Sequence, residues 1–132
     1  MKKPKFWEKS KKYLKSKDKK IGKIIDSYQK DFLFSKSDPF YTLARSIIGQ
    51  QISVQAAQSV WNKFENKIKK VTPKNVKKTH YMSLKSCGLS KQKIVYLKSL
   101  SDAFITKKIS PYNWNNYKDE EIIAELTQIK GI

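Results

Sequence analysis

The sequence is poor in several residue types that carry chemistry. In 132 residues it has one cysteine (Cys87), one histidine (His80) and one arginine (Arg45). A lone cysteine excludes an internal disulfide, a cysteine-rich zinc module and an iron–sulfur cluster ligated within the chain. Cys87 and His80 make neither a metal set nor a nucleophile–base constellation; His80 reads as a helix-edge residue and Cys87 as a small buried hydrophobe. No window approaches the ~20 apolar residues of a membrane span, and the opening MKKPKFWEKSKK has no apolar stretch behind its lysines, so it is not a secretory signal. Acidic residues are scarce as well, 11 against 29 basic ones. The expectation is a soluble, cytoplasmic, strongly basic domain without a membrane partner.

What the chain has in abundance is lysine. The net charge is +18, and every basic residue except Arg45 is a lysine. Residues 1–36 hold 13 lysines against Glu8, Asp18, Asp26 and Asp31, and residues 61–108 hold 13 more against Glu65 and Asp102. The segment 37–60 is neutral, and the stretch from Ile109 is slightly acidic. Such a balance points to a polyanion, with DNA or RNA foremost. Lysine meets phosphate as a point charge and lacks the planar fork with which arginine reads guanine, so salt-sensitive, sequence-tolerant binding is expected. An AT-rich coding sequence would raise lysine, isoleucine and asparagine together, and a plainly solvated lysine surface is the alternative.

Hydropathy patterning predicts an all-α chain, with period-3.6 segments between turn signals and no strand-like alternation. A short amphipathic helix is expected from Phe6 to about Leu14. Asp18 caps a second, with Ile21, Ile24, Ile25 and Tyr28 as its apolar stripe. Asp38–Pro39 is a cap followed by proline at the first helical position, ahead of the stripe Phe40, Leu43, Ala44, Ile47 and Ile48. Ser53 opens a helix with Ala57, Trp61, Phe64 and Ile68 on one face. Thr72–Pro73 starts a short helix, and a further turn ends at Gly88. Ser90 caps a helix bearing Ile94, Leu97, Leu100 and Phe104. Ser110–Pro111 begins a loop or single turn through Trp114. Asp119 opens a last helix with Ile122, Ile123, Leu126 and Ile129, ended by Gly131. Trp7, Trp61 and Trp114 have the rings to stack on bases, but Trp61 lies on an apolar stripe and is assigned to the core. The acidic run Asp119–Glu121 suits the positive end of its own helix without any catalytic role.

One short segment resists a packing explanation. Gln50 and Gln51 are adjacent amides in an uncharged Gly-Gln-Gln-Ile-Ser connection between two apolar helices. An exposed loop that recognises something is the functional reading, and an ordinary polar turn is the other.

From Asp38 to Phe64 the residues DPFYTLARSIIGQQISVQAAQSVWNKF resemble the first signature of the helix-hairpin-helix DNA glycosylases, in their DNA-3-methyladenine glycosylase II branch. LKSCGLSKQKIVYLKSLSDAF (84–104) resembles the second signature of that branch. DEEIIAELTQIKGI (119–132) resembles the first helix and opening of the hairpin, and the leader FWEKSKKYLKSKDKKIGKIIDSY is similar to the N-terminal helices of short bacterial members. The resemblance implies a multi-helix fold in which residues 1–36 belong to the family's mixed N/C-terminal lobe and 37–132 to the central lobe. It implies a base-excision repair enzyme that flips and hydrolytically removes alkylated purines such as 3-methyladenine from double-stranded DNA, at the nucleoid and with no obligatory protein partner. A cationic damaged base is already a good leaving group, so an aromatic pocket and one carboxylate suffice. By the same resemblance Gln50, Gln51 and Ser53 belong to the DNA-facing loop, with Gln51 where the family fills the gap in the base stack. Lys130, Gly131 and Ile132 begin the hairpin whose amides grip phosphate. No cofactor is implied beyond a monovalent cation on the hairpin carbonyls.

The family pattern continues past Lys-Gly-Ile with a second glycine, a Trp-Thr-Ala helix and the catalytic aspartate. None of Asp18, Asp26, Asp31, Asp38, Asp102 or Asp119 stands at the matching place, so no catalytic residue is expected within the chain. The reading is an N-terminal fragment, inactive alone, with apolar faces left uncovered and hence marginal stability or association. A non-catalytic DNA-binding helical module is the main alternative, and a basic RNA- or ribosome-associated helical protein the third.

Overall fold

The computed structural model describes residues 3–34 and 38–132. The described residues form helices joined by turns, with no strand among them, as the all-α expectation requires. The chain divides into two compact units, residues 1–37 and 38–132.

In the first unit, α1 (Trp7–Lys17) and α2 (Lys19–Ser27) pack on each other. Asp18 separates them: its backbone is extended, and its carboxylate accepts from the amides of Lys20 (2.7 Å) and Ile21 (3.0 Å), the cap expected of it. α1 runs three residues past the expected end, and its last turn carries Lys15 and Lys17, where the helix dipole favours positive charge. Surface ion pairs join Lys3 to Glu8 and Lys15 to Asp26. The expected apolar stripe of α2 is present but not buried: Ile24 is 60 % and Tyr28 62 % exposed, Ile21 is also exposed, and only Ile25 is half-covered. The reason lies in the partner. α1 is dominated by lysine and contributes no buried residue, so it offers the stripe little apolar surface.

The second unit is built from α3 (Pro39–Gly49), α4 (Val54–Ile68), α5 (Pro73–Lys78), α6 (Tyr81–Lys85), α7 (Lys91–Ile105), a 3-10 turn at Pro111–Asn116 and α8 (Asp119–Leu126). Each of the first five has a side-chain cap on its orphan amides. Asp38 accepts from Tyr41 N (3.0 Å), Ser53 from Ala56 N (3.2 Å), Thr72 from Asn75 N (3.3 Å) and Ser90 from Lys93 N (3.2 Å). His80 caps α6, its Nδ1 accepting from Met82 N at 3.2 Å, which gives the helix-edge histidine a definite job.

α3, α4 and α7 supply the core, with Ala44, Ile48, Phe64, Leu97 and Leu100 fully buried. Burying isoleucine, leucine and phenylalanine side chains contributes about 1.5–3 kcal/mol each. Phe40 meets Phe104 edge-on at 5.2 Å. Trp61 is buried as expected and donates its Nε1–H to the Tyr41 hydroxyl (3.2 Å), which donates in turn to Glu65 (3.0 Å). Cys87 is buried, its thiol held above the ordinary cysteine range by burial, against the opposing pull of Lys67. At the foot of α5 the Lys98 ammonium donates to the carbonyls of Val76 (2.9 Å), Thr79 (2.6 Å) and Lys77, covering the orphan acceptors of that short helix.

The last helix opens at Asp119 with Asp119, Glu120 and Glu121 in its first turn, as expected, and the Glu121 carboxylate reaches back to Lys118 N at 2.7 Å; it departs from expectation in two ways. α8 ends at Leu126, so Ile129 reaches the core from the following turn instead of from the helix. Ile123, assigned to the apolar stripe, is 58 % exposed.

Candidate nucleic-acid interface

The Gln-Gln connection has no regular structure of its own. α3 ends at Gly49 and α4 begins at Val54, and the residues between are exposed. Gln51 adopts φ +55°, a left-handed conformation that a side-chain-bearing residue takes only when its surroundings hold it there. Gln50 is anchored across the surface, its Nε2 donating to the carbonyl of Gly131 at 2.8 Å, across 81 positions of sequence. Gln51 remains exposed. Ser53 is the cap of α4, its Oγ accepting from Ala56 N at 3.2 Å, and its exposed hydroxyl keeps its own proton to donate.

Gly131 stands at φ +101° in a turn where Ile129 N bonds to Leu126 O (3.0 Å) and Ile132 N to Ile129 O (3.1 Å). A Cβ at this position would fall 2.3 Å from Tyr96 Cγ, so only glycine lets the turn lie this close to α7. Lys130 and Ile132 flank it, both exposed. Thus the structure brings Gln50 and Gly131 into contact, leaves Gln51, Lys130 and Ile132 on the surface nearby in sequence, and gives Ser53 a structural role.

Beside the Gln-Gln loop lies a shallow depression of about 440 Å³. Gln50, Gln51 and Ile52 form one wall, Gly88 and Ser90 another, and Lys93 with Tyr96 the side toward α7. Lys93 Nζ donates to the carbonyls of Ile48 (2.7 Å) and Gln50 (2.9 Å), and burial lowers its pKa from the usual lysine value. Sequence reading had singled out neither Lys93 nor Tyr96. A signal was present: a lysine in the first turn of a helix opposes its own dipole, and such a placement calls for a partner elsewhere.

None of the residues lining the depression is acidic, and among the described residues no group of three His, Cys, Asp or Glu is placed to hold a metal ion. No helix among the described residues is long and apolar enough to cross a membrane. The lining of the depression offers amide side chains, a serine hydroxyl, a tyrosine and one lysine.

Residues 44–131 match the HhH-GPD superfamily of base excision DNA repair proteins, and the chain belongs to that family. Among its relatives, DNA-3-methyladenine glycosylase 1 of Schizosaccharomyces pombe is 31 % identical over 118 residues, covering 86 % of this chain and 52 % of its own length. The DNA-3-methyladenine glycosylase of Saccharomyces cerevisiae is 36 % identical over 107 residues, 72 % of this chain and 36 % of its own. Among solved structures, a DNA-3-methyladenine glycosidase from Bacillus halodurans superposes with TM-score 0.72 at 27 % identity, covering 76 % of this chain and 47 % of that one. The Schizosaccharomyces pombe Mag1 enzyme in complex with abasic DNA superposes with TM-score 0.68 at 31 % identity, covering 75 % and 50 %. The chain spans about half the length of the first of these curated relatives and of both solved structures.

Proposed function

We propose that this chain is the duplex-gripping part of a DNA N-glycosylase that excises alkylated purines, 3-methyladenine among them, and that these 132 residues bind DNA without cleaving it. One observation carries the reading: the exposed Gln51 loop and the glycine turn at Gly131, 81 residues from Gln50, are tied into one surface by the Gln50–Gly131 hydrogen bond. Gln51 is the part of that surface that enters the stack at an unpaired nucleotide, Gln50 and Ser53 belong to the same DNA-facing loop, and Lys130, Gly131 and Ile132 form the part that meets the backbone. The membership in a base-excision family and the likeness to an enzyme solved on abasic DNA support it. The charge of +18 supplies the sequence-independent attraction to phosphate, and the work belongs at the nucleoid. Absence of an acid from the depression supports binding without hydrolysis, since an oxocarbenium-like sugar needs a carboxylate beside it.

The test is a titration of the chain with an intact duplex, a duplex bearing a tetrahydrofuran abasic site, and a structured RNA, together with an assay for alkali-labile sites in alkylated duplex. Salt-sensitive binding, tightest to the abasic duplex, with no alkali-labile sites formed, is expected. Tighter binding to RNA would overturn the duplex assignment, and excision by the chain alone would overturn the division between gripping and chemistry.

A further inference from the structure

We infer that Lys93 is a positioning residue: its ammonium clamps the exit of α3 and thereby holds Gln51 in the left-handed conformation that presents it to DNA. The inference rests on the duplex reading of that loop and adds to it the device that sets the loop's shape.

The geometry is that of a two-point clamp. The ammonium donates to Ile48 O, an orphan acceptor in the last turn of α3, and to Gln50 O, one residue before Gln51. Between these two carbonyls the chain leaves the helix: Gln50 has φ −59° and ψ 133°, and Gln51 swings to φ +55°. A charge-assisted bond on each side of the exit therefore restricts the dihedrals that decide where Gln51 goes. The base of the clamp is itself fixed, because Lys93 N donates to the Ser90 cap at 3.2 Å. One turn further along α7, Tyr96 lies against Gly131, whose carbonyl takes the Gln50 side chain. The same helix face thus sets both halves of the surface, Lys93 the loop and Tyr96 the turn.

The placement carries a cost that fits this role. Lys91 and Lys93 both occupy the first turn of α7, with no acidic residue there, and positive charge at a helix N-terminus is unfavourable for that helix. The ammonium of Lys93 is directed instead to the negative end of α3. Half-buried and with both carbonyls already accepting its protons, it is poorly placed to serve as a solvent-facing phosphate contact.

The experiment compares the chain with Lys93→Met in two ways. In the first, backbone 15N relaxation is measured without DNA. The order parameters of Gln51 and Ile52 are expected to fall from about 0.85 to below about 0.6 in the variant, those of α5 staying unchanged; unaltered values at Gln51 overturn the inference. In the second, affinities for a tetrahydrofuran-containing duplex and an intact duplex are measured over a range of salt. The preference for the abasic duplex is expected to drop about tenfold, with the salt slope unchanged. Equal loss on both duplexes with a slope shallower by about 0.9 would make Lys93 a phosphate contact and overturn the positioning role. If the unaltered chain does not distinguish the duplexes, the duplex reading of the loop fails, while the relaxation arm still judges the clamp. Should Lys93→Met not fold, Lys93→Gln, neutral and able to reach one carbonyl at most, is expected to move both readouts in the same direction.

Discussion

Replacing Gly131 by alanine puts a methyl group where the fold has no space. The new Cβ would lie 2.3 Å from Cγ, 2.4 Å from Cδ2 and 2.7 Å from Cβ of Tyr96. These atoms are the root of a ring on α7, not the loose end of a side chain, so the turn has to move. Even in open space a φ of +101° strains an L-residue by about 1–3 kcal/mol. The alternative is for the 127–132 turn to leave α7. That route forfeits the Gln50–Gly131 hydrogen bond, worth about 0.5–1.5 kcal/mol, and uncovers Ile129, which is 2 % exposed and contributes about 1.5–3 kcal/mol. The protein takes whichever route costs less, so a loss of about 2–4 kcal/mol is expected. Gly49→Ala is the matched control. At the end of α3 its Cβ would meet nothing nearer than Ala57 Cβ at 3.8 Å, and a helical glycine exchanged for alanine is expected to gain up to about 1 kcal/mol. Urea denaturation followed by tryptophan fluorescence measures both. Equal midpoints for the two variants would refute the argument that the close approach to Tyr96 requires glycine.

Three further outcomes are expected. Phe64→Ala, at a side chain fully buried between α3, α4 and α7, is expected to lose about 3–5 kcal/mol, much of a typical domain's stability; a circular-dichroism melt close to that of the unaltered chain would show the core assignment to be wrong. Cys87 keeps its proton in the fold at a pH where the unfolded thiol has lost it, so the native state binds more protons and stability is expected to fall as pH rises above about 8.5. Labelling of Cys87 by a thiol reagent is then limited by opening, and immediate labelling of the native chain would contradict its burial. Gln51→Ala is expected to keep the affinity for intact duplex and its salt slope while reducing the preference for an abasic duplex, as anisotropy titrations would show; a uniform loss would make Gln51 a backbone contact.

The helix starts were legible in the amino-acid order because each depends on a few adjacent residues. Asp18, Asp38, Ser53, Thr72 and Ser90 accept from amides two or three positions ahead, and such caps are local chemistry. The core was legible for a similar reason: the period-3.6 stripes of α3, α4 and α7 are buried nearly as written. The Gln50–Gln51 segment stood out as polar, uncharged and flanked by apolar helices, and it is exposed. Misreadings arose where burial depends on what a helix meets. The stripe of α2 has the right spacing and remains largely exposed, because lysine-rich α1 offers it little apolar surface. Ile123 has the right spacing and is largely exposed.

Order along the chain, then, determined the helices, their caps, the buried stripes, the positive charge and the family to which the residues belong. Only the tertiary structure decided that Gln50 bonds to Gly131, that Tyr96 leaves no space for a side chain there, and that Lys93 spans the end of α3. Caps and stripes come from interactions within a turn or two of helix, which sequence spacing encodes. The surface proposed to meet DNA comes from contacts between residues 43 to 81 positions apart, and packing α3 and the 127–132 turn against α7 is what brings them within a hydrogen bond of each other.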